Sequence, residues 1–285
     1  MKICRFDDNR LGLVEGTAVR DVTSVLERLP AFRWPLPLGD VLIGALADLR
    51  GDLTDAARDA LTLPIDRVRL RSPVANPTKI IGAPVNYLDH LEEATRNQDI
   101  GQGHTIKPVS EWGLFLKANS ALVGPSEGVA QRFADRRNDH EAEMAVVIGR
   151  CGTNIRGSEA LDYVAGYCIG LDMTVRGPQF QCFRKSIDTY AVVGPWLTTR
   201  DEIADPGAID FHLAVNGETR QKSNTRYLDY DVCRLIELAS SYYTLYPGDI
   251  IMTGTPAGVG PVKPGDVIDV AFSGLGSMRV AVRAA

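Results

Sequence analysis

A chain of 285 residues that is 45% hydrophobic and 24% charged can bury a real core, as one large domain or as a large and a small one. No apolar run approaches the roughly 20 residues that cross a bilayer, and a net charge of −5 with scattered Lys and Arg lacks the footprint of a nucleic-acid binder. A small-molecule partner is therefore expected. The opening MKICRFDDNR carries no apolar stretch behind its basic residue, so a cytoplasmic protein is expected. Five cysteines, odd in number and without a CxxC pair, argue against a disulfide framework or a zinc cluster and predict reduced, mostly buried thiols.

Taken along the chain, short strands are expected at Lys2 to Phe6 and Gly12 to Glu15, then helical stretches around Val22 to Leu29 and Leu38 to Leu49. Pro30, Pro35, Pro37 and Pro64 punctuate this part, because proline fixes φ and donates no backbone hydrogen bond. In RVRLRSPVANPTKIIGAPVNY an alternating stretch, a Pro-rich hinge and an apolar strand follow one another. This predicts a boundary near Ser72, between a small unit of residues 1–72 and a larger one of residues 73–285. From Lys79 onward, β-branched and aromatic segments cut by Gly and Pro predominate, among them EAEMAVVIGR, YVAGYCIGLDMT and FHLAVNG. The expected fold class is mainly β with some helix (α+β), not alternating βαβ units. Between Glu92 and Trp112 the chain is polar and aperiodic, the pattern of a mobile loop that is either a lid or a plain surface excursion. The turns Pro247-Gly248-Asp249 and Pro264-Gly265-Asp266 each lead into a β-rich run. One amphipathic helix is expected at Asp231 to Tyr243, with Val232, Leu235, Ile236 and Ala239 on the face that packs against the sheet.

In DHEAEMAVVI, Glu141 and Glu143 point to one side of a strand, because side chains alternate with period two. Neighbouring carboxylates repel unless a cation or a proton neutralises them. The strand from Tyr163 to Leu171 ends at Asp172, a third carboxylate that the fold can bring to the same point. Three carboxylates without Cys or His suit a hard ion, Mg²⁺, Mn²⁺ or Ca²⁺; solvated surface carboxylates are the alternative. His90 and Glu93 in YLDHLEEA share one helical turn, where the carboxylate fixes the imidazole tautomer and the histidine can act as general base. An exposed pair of no consequence is the alternative. TGTPAGVG, Thr253 to Gly260, has neither the GxGxxG spacing nor a following GK[ST], which speaks against a nucleotide site, although its hydroxyl and N–H groups can meet a small carboxylate.

The order of GAPVNYLDHLEEA, GLFLKANSALVGP, DHEAEMAVVIGR, YVAGYCIGLDMTVRGPQ, RKSIDTYAVVGPWL and YPGDIIMTGTPAGVG resembles the fumarylacetoacetate hydrolase family, especially its acylpyruvase-like members, across roughly residues 76 to 272. Residues 1–72 resemble the family's accessory domain more loosely. The resemblance implies a mixed β-roll catalytic domain after a small N-terminal α/β domain, a homodimer, and Mg²⁺ or Mn²⁺ as cofactor. It also implies metal ligation by Glu141, Glu143 and Asp172, catalytic roles for His90, Glu93 and Lys185, and substrate contacts from Arg176, Gln179 and Thr255. One departure lies between Gln179 and Lys185, where the connection is shorter than in many members and FRKS replaces a tryptophan-containing approach to the lysine. The groups that select the acyl end are expected there and on the lid. The implied activity is hydrolysis of a C–C bond in an acylpyruvate-like diketo acid, such as fumarylpyruvate or acetylpyruvate, in small keto-acid or aromatic catabolism. Within the family the alternatives are decarboxylation of an oxaloacetate-type β-keto acid and isomerisation of a 2-hydroxymuconate or heptadienedioate type. A non-catalytic keto-acid or metal-binding module would have to lack one of the acting groups.

Overall fold

The computed structural model describes residues 1–103 and 105–285. Among these residues twelve strands join one mixed sheet, five form a second and three a small third, with helices at their flanks. The chain thus adopts the expected sheet-dominated α+β class. The strands that position the site are β1 (Lys2–Phe6), β2 (Ile80–Gly82), β3 (Phe115–Lys117), β4 (Ala142–Ile148), β5 (Val164–Asp172), β6 (Ala191–Thr199) and β7 (Ile250–Met252). They lie side by side in the order β1-β6-β5-β4-β7-β2-β3. Three helices recur below: α1 (Leu88–Arg96), α2 (Gln181–Lys185) and α3 (Val232–Tyr242).

The sequence AEMAVVI makes β4 a central strand, apolar along its length apart from Glu143 and buried at every residue. Its antiparallel register with β5 sets Ala142 opposite Leu171 and Glu143 opposite Gly170. Alternation then sorts the side chains. Met144, Val146, Ile169 and Leu171 share a core with Phe211, Val270 and Phe272 of the five-stranded sheet and with Leu235 of α3. Ala145, Val147 and Cys168 face the other way, against Val25, Ile43 and Leu53 of the N-terminal segment. Glu143 and Asp172 continue this second row, where it meets a cavity instead of apolar side chains.

Residues 1–72 extend the large sheet: β1 pairs with β6, Lys2 opposite Thr198. The expected first helix is a 3₁₀ segment, Thr23–Arg28. The second is confined to Val41–Ala45, because prolines and Gly39 precede it and Asp40 caps it, accepting the Ile43 N–H at 3.2 Å. α3 follows its periodicity closely. Asp231 caps it by accepting the Arg234 N–H at 2.9 Å, and Val232, Leu235, Ile236 and Ala239 are buried. In the turn before β7, Gly248 has φ +85°, and a Cβ there would lie 2.4 Å from that of Asp40, so conformation and space both require glycine.

Two expectations are corrected. The run from Glu92 to Trp112 is not a structureless loop: it comprises the end of α1 and two short helices, Gln98–Gly101 and Val109–Trp112, with Ala94, Ile100 and Val109 buried. Helices of four residues are too short to display a helical period, so the polar composition masked them. Residue 104 of this run lies outside the described residues. The thiols are free but not mostly buried. Cys4 and Cys168 are enclosed by the sheet, whereas Cys151 and Cys182 are exposed, in the connection after β4 and in α2. Among the described residues no helix is long and apolar enough to cross a membrane.

Candidate active site

A cavity of about 430 Å³ opens where β4 begins and β5 ends. Glu141, Glu143 and Asp172 line it, each at most 4% exposed, and one oxygen from each lies within 4.8 Å of the others. Such burial excludes the solvated-surface alternative. The Asp172 N–H donates to the Glu141 carbonyl at 3.0 Å, so the strand ladder itself sets the spacing of the carboxylates.

Cations surround the cluster. Lys185 Nζ lies 2.6 Å from both Glu141 Oε2 and Asp172 Oδ2, and donates to Thr174 Oγ1 at 2.7 Å. Arg176 reaches Asp139 Oδ2 through Nε and Glu141 Oε1 through Nη2, each at 2.8 Å. Lys117, from β3, donates to Asp172 Oδ1. Burial alone would raise the pKa of Glu141, but Lys185 and Arg176 outweigh it and hold the group low. Glu143 is pushed well above the usual carboxylate range, first by burial and then by the charge of Asp172. Among the described residues it pairs with no lysine or arginine, and the Gly254 N–H donates to its Oε2 at 2.7 Å. A divalent ion held there would offset the charge of Glu143, which no ion pair compensates among the described residues. An all-carboxylate donor set fits Mg²⁺ or Mn²⁺, so Glu141, Glu143 and Asp172 can hold one.

α1 brings the dyad to the same cavity. His90 is 6% exposed, which excludes the idle surface pair, and its Nδ1 lies 3.0 Å from Glu93 Oε2. The other carboxylate oxygen of Glu93 accepts the Gly258 N–H at 2.9 Å. The loop Thr253 to Gly260 therefore touches both chemical groups, since Gly254 holds Glu143 and the Thr255 hydroxyl donates to the Ala142 carbonyl at 2.9 Å. Gln179 lines the cavity with its Oε1 accepting from Arg136 at 2.9 Å. His90, Glu141, Glu143, Asp172, Arg176, Gln179, Lys185 and Thr255 all line one cavity, and Glu93 supports it from behind His90.

Sequence reasoning passed over Lys117 and Arg184, both buried. Lys117 sits inside GLFLKANSALVGP, where a charged residue within a short apolar strand was the available signal. Arg184 sits next to Lys185 and lines the cavity.

Residues 79–283 match the model of the fumarylacetoacetate (FAA) hydrolase C-terminal domain. The chain belongs to the fumarylacetoacetate hydrolase family. Among family members it is 52% identical over 285 residues to "Maleylpyruvate hydrolase" of Aquipseudomonas alcaligenes, an alignment covering 99% of each chain. It is similar in structure to maleylpyruvate hydrolase from Sphingobium sp. SYK-6 in complex with manganese (II) ion and pyruvate, with TM-score 0.83, 40% identity, and 100% and 99% of the two chains covered. A 2-hydroxyhepta-2,4-diene-1,7-dioate isomerase from Mycobacterium marinum is similar at TM-score 0.72 and 27% identity over 100% of this chain and 98% of that one.

Proposed function

We propose that the chain is a Mg²⁺- or Mn²⁺-dependent hydrolase that cleaves the C–C bond joining the pyruvyl and acyl halves of an acylpyruvate. Maleylpyruvate, the substrate named for its relatives, is the first to test. The observation that carries the reading is a histidine-carboxylate pair held over the same cavity as three buried carboxylates. Decarboxylation needs no attacking water and would use such a pair only to protonate the enolate.

Glu141, Glu143 and Asp172 would hold the ion, which when bound polarises the keto-acid oxygens and offsets the charge that develops as the bond breaks. With Nδ1–H donating to Glu93, His90 keeps Nε2 as its proton acceptor. A water gives its proton to Nε2 as its oxygen bonds to the acyl carbonyl carbon. The bond from that carbon to C3 of the pyruvyl half then breaks, and the electron pair passes into the pyruvate enolate. His90 returns the proton to C3, leaving pyruvate and a carboxylic acid. Lys185, fixed between Glu141 and Asp172, places positive charge beside the enolate, while Arg176, Gln179 and Thr255 hold the substrate. On the same reading residues 73–285 form the catalytic domain, residues 1–72 an accessory unit, and the active species is a cytoplasmic homodimer.

The test is to give the Mn²⁺-loaded protein maleylpyruvate, fumarylpyruvate and acetylpyruvate. Diketone absorbance should decay with stoichiometric formation of pyruvate. Release of CO₂ from oxaloacetate with no pyruvate from any of the diketo acids would replace the hydrolase reading with a decarboxylase.

A further inference from the structure

Three permanently cationic side chains line the cavity, and two of them are paired: Lys185 with Glu141 and Asp172, Arg176 with Asp139 and Glu141. The third is Arg184, on α2, only 7% exposed. Its Nε donates to the Gln179 carbonyl at 2.7 Å and its Nη1 to the Val175 carbonyl at 3.4 Å. Both partners are neutral. Among the described residues Arg184 joins no ion pair, and the carboxylates that act on it from a distance, Glu141 and Asp172, are already bound to Lys185. Burial destabilises the guanidinium, and repulsion from Arg176 and Arg136 adds to this. A charge taken out of water without a counter-ion is costly, and a fork with unused N–H donors is the geometry that accepts a carboxylate in two hydrogen bonds.

We propose that Arg184 is the residue that receives the second carboxylate, carried at the far end of the acyl half of a substrate such as maleylpyruvate, and that it thereby sets the discrimination against acylpyruvates with a plain alkyl acyl group. The inference rests on the hydrolase reading and names the residue that reads the acyl end. Placement supports it. Lys185 is bound to Glu141 and Asp172 of the acidic cluster, whereas Arg184, one residue earlier on the same short helix, lines the same cavity without pairing with that cluster. Ile100, Ile106 and Trp112 also line the cavity and offer apolar surface to the carbons between the two carboxylates. Arg184 also lies in the FRKS segment, the stretch that departs from the family pattern.

The experiment compares kcat/KM on maleylpyruvate and acetylpyruvate for the unaltered protein, Arg184→Gln and Arg184→Lys. The unaltered protein should prefer the dicarboxylate by at least about 10²-fold, and Arg184→Gln should shrink that ratio about 10²-fold, mainly through KM. Arg184→Lys, which keeps the charge and loses the fork, should restore only part of it. Equal losses on both substrates, or an unchanged ratio, would overturn the proposal. A binding arm separates it from the hydrolase reading: calorimetry of the Mn²⁺-loaded protein with 2-oxoheptanedioate and 2-oxoheptanoate, which lack the scissile diketone. Tighter binding of the diacid, lost in Arg184→Gln, supports the role of Arg184 even if no diketo acid is cleaved. Equal binding of the two acids by the unaltered protein refutes it whatever the turnover, and needs no variant to fold.

Discussion

His90 and Glu93 act as one unit only if removing both costs no more than removing His90 alone. A positioned general base contributes roughly 10² to 10⁴ in rate, which at about 1.4 kcal/mol per tenfold is about 3 to 5.5 kcal/mol of barrier. His90→Ala should therefore lose hydrolysis by that factor while leaving ion and keto-acid binding in place. Glu93 touches the chemistry through one hydrogen bond to His90 at 3.0 Å and braces the loop through Gly258 at 2.9 Å. Hydrogen bonds to charged groups are worth about 1.5 to 3 kcal/mol, so Glu93→Ala should cost roughly 10- to 10²-fold. Glu93→Gln can still accept the Gly258 N–H and isolates the effect of the charge. In the cycle of His90→Ala with Glu93→Gln, which keeps the bond to Gly258, measured as steady-state pyruvate release at saturating Mn²⁺, the double variant should match His90→Ala, because the carboxylate has nothing left to orient. Oxaloacetate decarboxylation, if present, should fall far less. Multiplying losses in the double variant would refute the dyad and assign Glu93 an independent role in the loop.

Chelation should abolish activity and Mg²⁺ or Mn²⁺ should restore it; Glu143→Ala should mimic chelation with a loss above roughly 10²-fold, and full turnover after metal stripping would refute the site. Oxalate, which mimics the pyruvate enolate, should slow amide exchange in residues 92–112, since Ala94, Ile100, Ile106 and Trp112 line the cavity; equal exchange with and without oxalate would deny this segment a covering role. At pH 8 iodoacetamide should label Cys151 and Cys182 in the folded protein but spare Cys4, whose pKa burial raises to about 12, and Cys168, raised likewise by burial; mass spectrometry of tryptic peptides reads the pattern, and early labelling of Cys168 would contradict the packing beneath β5.

What was legible in the sequence follows from how local each signal is. α3 needs only a 3.6-residue period and an Asp cap, and both lie within Asp231 to Tyr243. The pairing of Glu141 with Glu143 needs only the alternation of one strand. Asp172 was reachable because β5 follows β4 directly, so antiparallel neighbours were the simplest arrangement. The junction of β1 with β6 was out of reach: Ile3 and Leu197 are almost two hundred residues apart, and nothing in MKICRF names its partner. Lys117 and Arg184 were missed for a related reason. Each is a single charge in an otherwise ordinary segment, and its meaning depends on carboxylates, or their absence, contributed by distant strands.

The loop Thr253 to Gly260 holds Glu143 through Gly254, the first residue of β4 through Thr255, and Glu93 through Gly258. Glu93, which holds His90, and Glu143 of the acidic cluster are thus both hydrogen-bonded to one short piece of backbone. A displacement of that backbone would therefore disturb both groups at once. Catalytic geometry must be kept to within about 0.5 Å, so a substitution that shifts this loop should be felt at the dyad and at the acidic cluster together.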